Sequence, residues 1–161
     1  MEQQFSVKRR ALIESQLAVG GVAALPVGAA SPAPLLTHRI PSSGEAVPVI
    51  GLGSWITFNV GNDPAARAEC TDVMRQFFAA GGRMIDSSPM YGSAQDVIGG
   101  GLQKLGRPAR LFSADKVWTS SDGPEQVAES RRRWGVPKFD LLQVHNLLDW
   151  EEHLPILFAL K

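Results

Sequence analysis

Gly81-Gly82-Arg83-Met84-Ile85-Asp86-Ser87-Ser88-Pro89-Met90-Tyr91-Gly92 is the stretch on which the fold reading turns. The glycine pair stops the segment before it, and Arg83 to Ser87 reads as a short strand carrying an acid near its end. Pro89 and Gly92 hold Tyr91 in a loop. Ser93 to Leu105 then reads as a helix, closed by Gly106 and Pro108. Strand, loop and helix make one β-then-α unit, with a carboxylate and a phenol delivered to the same end.

The pattern repeats on both sides. Ile50 to Trp55 reads as a strand, after which Asp63 can cap a helix with Pro64 at its first position. Val73, Phe77 and Phe78 are the expected apolar face of that helix. Downstream, Leu111 to Trp118 and Phe139 to His145 read as strands, and Pro124 to Trp134 and Trp150 to Lys161 as helices. Upstream, Thr37 to Ile40 and Val47 to Ile50 flank a Ser42-Ser43-Gly44 turn and predict a small hairpin. Such alternation predicts an α/β fold with a parallel sheet covered by helices, either doubly wound or closed as a (β/α)8 barrel. Asp86, Lys116 and His145 fall near the C-terminal ends of three different strands. In a barrel those ends face one pocket, whereas an open sheet spreads them along an edge, so the barrel is favoured.

The 161 residues carry 16 Lys and Arg against 16 Asp and Glu, so no basic footprint speaks for a nucleic-acid partner. Arg131-Arg132-Arg133 is the one dense cationic run of the body, and its place at a helix end suits the exposed carbonyls there. The single cysteine, Cys70, excludes an internal disulfide and is expected as a small core residue. His38, His145 and His153 are scattered without metal-ligand spacing, so no metal is expected.

The N-terminus reads as an address. Lys8-Arg9-Arg10 precede a weakly apolar stretch from Leu17 to Ala30, which ends on the small residues Val27-Gly28-Ala29-Ala30. This resembles a twin-arginine export signal over residues 1–30, followed by a Pro-rich linker over 31–36 and the folded body over 37–161. It implies contact with export machinery and a periplasmic or otherwise exported location, the alternative being cytoplasmic. The run is too short and too weak for a stable membrane span, which takes about 20 strongly apolar residues.

Reducing a carbonyl requires a hydride donor on the carbon and an acid for the oxygen. Tyrosine can be that acid if a nearby cation keeps its proton mobile. Lys116 is the candidate cation, Asp86 its anchor, and His145 the group that orients the substrate oxygen. Taken singly, Asp86 could be a loop cap, Lys116 a surface lysine, Tyr91 a packing residue and His145 a core histidine. It is their joint order that carries weight.

With Gly51-Leu52-Gly53-Ser54-Trp55, Ala114-Asp115-Lys116-Val117-Trp118 and Leu141-Leu142-Gln143-Val144-His145-Asn146, the opening stretch resembles the aldo/keto reductases from about Arg39 to Lys161. The resemblance implies that Tyr91 is the general acid, tuned by Lys116 and Asp86, and that His145 orients the carbonyl. It implies NADP(H) as cofactor, with Gly53, Ser54, Trp55 and Asp86 along its nicotinamide side. Trp118 and Asn146 become candidates for the substrate pocket, while Trp134 and Trp150 are expected in the core or pocket wall. A barrel of this kind takes about 250 residues, and four βα units are about half of it. The expectation is therefore the N-terminal half of an NADP-dependent reductase of small aldehydes or ketones, inactive alone. The alternative is a non-catalytic remnant serving as a binding or assembly module.

Overall fold

The computed structural model describes residues 35–160. The signal expected over residues 1–30 and most of the linker lie outside them. Strands β1 (Thr37–Arg39) and β2 (Ala46–Pro48) form an antiparallel hairpin. A second sheet takes β3 (Leu52–Gly53), β4 (Met84–Asp86), β5 (Phe112–Val117) and β6 (Leu141–Val144) in that order, every neighbouring pair parallel. Helices α1 (Pro64–Ala79), α2 (Ala94–Lys104), α3 (Gly123–Trp134) and α4 (Trp150–Ala159) follow β3, β4, β5 and β6 in turn. These are four consecutive βα units, as the alternation predicts.

Local chemistry sets the helix ends. Asp63 Oδ1 accepts the Ala65 and Ala66 backbone N–H groups at 2.9 and 3.3 Å, and Pro64 occupies the first turn, where no N–H is missed. Asp122 caps α3 in the same way through Glu125 N–H at 2.9 Å, and Gly135 closes it in the left-handed region at φ 67°. Arg132 and Arg133 in the last turn pair with Glu125, Glu129 and Asp96 on the surface, and Arg131 reaches the Pro137 carbonyl. The cationic run is thus a solvated helix end.

The core lies between the helices and one face of the sheet, built by Met74, Ile85, Val97, Ile98, Leu102 and Trp134. Burying each such side chain contributes roughly 1.5–3 kcal/mol. Cys70 is buried here as expected. Two expectations need correction. Val73 is exposed, because the buried stripe of α1 runs through Cys70, Thr71 and Met74, and Phe77 and Phe78 are only partly covered. The first parallel strand is two residues long, since the chain leaves the sheet into a turn at Ser54.

The hairpin is tied to the start of β4 by Arg83. Its guanidinium donates to the Ala46 and Arg110 carbonyls at 2.7 and 2.8 Å and pairs with Glu45 at 2.5 Å, with the side chain 12% exposed.

Helix α2 contains Gly99-Gly100-Gly101, an unfavourable run in a helix interior. The first of them lets α2 and α3 approach: a Cβ on Gly99 would fall well inside contact distance of the Arg133 carbonyl oxygen, while at Gly100 it would meet nothing within 4 Å. Gly99→Ala is expected to destabilise the fold by about 2–3 kcal/mol through overpacking against backbone, and Gly100→Ala to stabilise it by about 0.5–1 kcal/mol. Urea titration of both variants checks this; equal midpoints would contradict the packing argument.

Candidate active site

Register brings the polar groups together. Asp86 pairs with Ala114 across β4 and β5, and Lys116 lies two residues further along β5, on the same face of the sheet. Lys116 Nζ donates to Asp86 Oδ1 and Oδ2 at 2.7 and 2.6 Å and to the Ser87 carbonyl at 2.8 Å. These partners use up the ammonium's donor capacity. The lysine side chain is 13% exposed, so the pair is shielded on the lysine side.

Tyr91 is next to this pair, its ring centroid 5.3 Å from Lys116 Nζ. The His145 ring meets it edge-on, with centroids 5.5 Å apart and planes at 87°. Among the described residues the Tyr91 hydroxyl makes no hydrogen bond, which leaves its proton for a ligand. Gly92 (φ 59°) admits the Asn59 amide against its Cα, and Asn59 Oδ1 accepts the Ser93 N–H at 3.0 Å. The loop holding Tyr91 is thereby anchored to the loop after β3. Burial pushes the His145 imidazole below its ordinary pKa, helped by the Lys116 charge and opposed by Asp86. That environment favours the uncharged ring.

The four residues read as a tetrad in the sequence therefore meet at the C-terminal end of the strands. The remaining candidates divide. Gly53 pairs with Asp86 across β3 and β4 and has open space above its Cα. Trp55 is 64% exposed, with its ring centroid 6.5 Å from that of Tyr91. Bare backbone and an indole beside the tetrad fit one flank of a flat nicotinamide ring. Ser54 lies between them in the same turn. It is fully buried, and its hydroxyl faces the Asp86 carbonyl at 2.8 Å and Ser87 Oγ at 2.9 Å, so its side chain braces the wall of the site. Trp118 and Asn146 are both exposed at this end of the sheet, Asn146 in the left-handed region at φ 56°. Trp134 is core, as expected, while Trp150 is half exposed.

Two residues escaped the sequence reading. Ser88 Oγ lies 2.6 Å from His145 Nδ1, a contact between β4 and β6 units that no local pattern announces. Asp115, beside Lys116 but on the helix side of β5, is fully buried. Its carboxylate accepts the Lys116 backbone N–H at 2.7 Å and Gln95 Nε2 at 2.8 Å, and Gln95 donates on to Ser130 Oγ at 2.9 Å. The alternation of side chains along a strand was the available signal. A separate apolar cavity of about 800 Å³, bordered by Val47, Met84, Phe112, Leu141 and Phe158, holds none of the tetrad.

The sequence matches the profile of the aldo/keto reductase family over residues 49–161. It is 29% identical over 113 residues to the probable NAD(P)H-dependent D-xylose reductase of Arthroderma otae, a match covering 65% of this chain and 32% of that protein. An aldo-keto reductase from Klebsiella pneumoniae, solved in complex with NADPH, superposes with a TM-score of 0.55 at 26% identity. That match covers 63% of this chain and 36% of the other. The Bombyx mori aldo-keto reductase, in complex with NADP, gives 0.54 at 22% identity over 70% of this chain and 38% of that one. The chain spans about a quarter to a third of the length of the curated relatives it matches.

Burial drives the Asp115 carboxyl up to about 6, only partly offset by the Lys116 N–H and the Gln95 amide. A folded-state value above the unfolded one means that this residue's stabilising contribution is full below about pH 4 and is lost as pH rises through about 6. The span amounts to about 3 kcal/mol. Asp115→Asn, with the Gln95 amide turned over to match, is expected to remove that part of the slope and to exceed the wild type in stability at pH 8. Urea midpoints of both proteins between pH 4 and 8 check it. A slope unchanged in the variant would contradict the assignment.

Proposed function

This chain belongs to the aldo/keto reductase family, and from that premise we propose that it carries the proton-transfer half of an oxidoreductase that reduces small aldehydes or ketones with NADPH. The observation that carries the reading is the joint placement of Asp86, Lys116, Tyr91 and His145 at one end of the sheet. A reduced nicotinamide supplies the hydride when bound, and Gly53 and Trp55 are the residues here that would flank it. Tyr91 donates its proton to the carbonyl oxygen as charge builds there. Lys116 keeps a positive charge near the phenol, and Asp86 keeps the ammonium from turning away. His145, edge-on to Tyr91, orients the same oxygen.

The described residues supply four of the eight βα units of a barrel. Holding a reactant in place can supply several kcal/mol of rate acceleration. The 161-residue chain assayed alone is accordingly expected not to consume NADPH with a simple aldehyde. Joined in frame to the four remaining units of a family relative, it is expected to turn over, and Tyr91→Phe in that protein to lose about 10²–10⁴-fold in kcat. NADPH oxidation followed by absorbance decides both points. Robust turnover by the chain alone would refute the first, and an unaffected Tyr91→Phe variant would refute Tyr91 as the acid.

Export belongs to the same proposal and rests on Lys8-Arg9-Arg10 and the small residues up to Ala30. Protein recovered from the native cell envelope is expected to have lost roughly the first 30 residues by mass spectrometry. An intact Met1 start would count against it.

A further inference from the structure

Ser88 is fully buried two positions beyond Asp86, yet its hydroxyl has neighbours on both sides. The Met90 backbone N–H donates to Ser88 Oγ at 3.2 Å, and His145 Nδ1 lies 2.6 Å away. A serine hydroxyl owns one proton, and a proton left without an acceptor in a dry site costs about 1–3 kcal/mol. Met90 is a donor and cannot take it. Among the described residues His145 Nδ1 is the acceptor within reach. We propose that Ser88 donates its hydroxyl proton to His145 Nδ1 and so fixes the neutral imidazole as its Nε2–H tautomer. Ser88 is then a positioning residue for the active site.

The consequence is chemical. With Nδ1 accepting, the ring's one N–H is at Nε2, which makes no hydrogen bond with the described residues. An Nε2–H can hydrogen-bond a carbonyl oxygen beside Tyr91. The other tautomer would turn a nitrogen lone pair toward that oxygen and repel it. Protonation would also set an Nδ1–H against a hydroxyl already accepting from Met90, leaving the serine proton stranded. Burial and the Lys116 charge, opposed by Asp86, separately push the His145 pKa down. The catalytic meaning of the tautomer rests on the carbonyl-reductase reading; the tautomer itself does not.

The test is a long-range proton–nitrogen correlation spectrum of the ¹⁵N-labelled 161-residue chain at neutral pH. There are three histidines, and the signals lost in His145→Gln assign the one that matters. The expected result is a pyrrole-type nitrogen at Nε2 and a pyridine-type nitrogen at Nδ1. An Nδ1–H pattern in the wild type overturns the proposal, whatever the variants do. In Ser88→Ala the two nitrogen shifts are expected to move toward each other as both tautomers populate, and Ser88→Thr, which keeps the hydroxyl, to restore them. A Ser88→Ala spectrum identical to wild type overturns the role of Ser88. In the completed enzyme, Ser88→Ala is expected to lower kcat roughly tenfold, about one hydrogen bond's worth of orientation, with KM for NADPH unchanged and Ser88→Thr rescuing. An Nε2–H tautomer in a completed protein that reduces no carbonyl would sink the reductase reading and leave the tautomer standing.

Discussion

The three-way grip on the Lys116 ammonium is the interaction on which the site depends. Two of its bonds go to the Asp86 carboxylate and one to the Ser87 carbonyl, and both residues belong to the neighbouring strand and its exit. They can be made only if β4 and β5 are parallel and in the register that pairs Asp86 with Ala114. A one-residue slip would turn Lys116 toward the helices and bury an unpaired ammonium there. The register in turn requires α2 to return the chain across the sheet and seat itself close to α3. The near contact at Gly99 allows that approach. The chemistry of the strand ends and the packing of the helices are thus two sides of one constraint.

Strand β5 shows how that constraint is managed. Asp115 and Lys116 are adjacent, so they face opposite sides of the sheet. Lys116 finds its carboxylate on β4, at the mouth. Asp115 enters the helix layer and is held by Gln95 of α2, which also reaches Ser130 of α3. A buried carboxylate is a costly way to join a strand to two helices. It does fix the Lys116 backbone directly, through the N–H that Asp115 accepts. Strain gathers around the same mouth. Ile56 follows Trp55 at φ 63°, and Asn146, Leu147 and Asp149 lie at 56°, 57° and 46° just after His145. Asparagine tolerates the left-handed region, but a β-branched isoleucine and a leucine there cost of order 1–2 kcal/mol each. These left-handed residues flank Trp55 and His145, so backbone strain is concentrated in the turns on either side of the mouth.

Much of this was legible in the sequence because it is local. Asp63 before Pro64, and Gly106 and Pro108 after Leu105, announce helix ends through nearest-neighbour chemistry. The β-then-α punctuation announces the order of elements. Placing Asp86, Lys116 and His145 at strand ends needed only strand direction. What failed, or stayed silent, depended on which way a side chain points once the sheet is assembled. Ser54 read as part of the turn along the cofactor, and no local pattern announces that its hydroxyl folds back onto Asp86 and Ser87. Val73 read as part of the apolar face of α1, whereas the stripe that meets α2 runs through Cys70 and Met74. Ser88 and His145 are 57 positions apart, and their contact exists only through the parallel order of β4, β5 and β6.

The sheet has β3 and β6 at its two margins, each paired on one side among the described residues. Parallel strands are stable when both faces and both edges are covered, and here the helices cover one face only. The inward residues Met84, Phe112 and Leu141 border an apolar cavity at the strands' N-terminal end, while Asp86 and Lys116 lie at the other. The inner face is therefore divided along the strands into an oily end and a charged end. On the proposed reductase reading the charged end would need water kept out and a flat cofactor kept in, and Gly53 and Trp55 could form one flank of such a space. At the far margin β6 faces Gln143 inward and ends at Val144, and the chain turns away just after His145 through the strained Asn146-Leu147 step. The described residues bring Asp86, Lys116, Tyr91 and His145 together at that charged end.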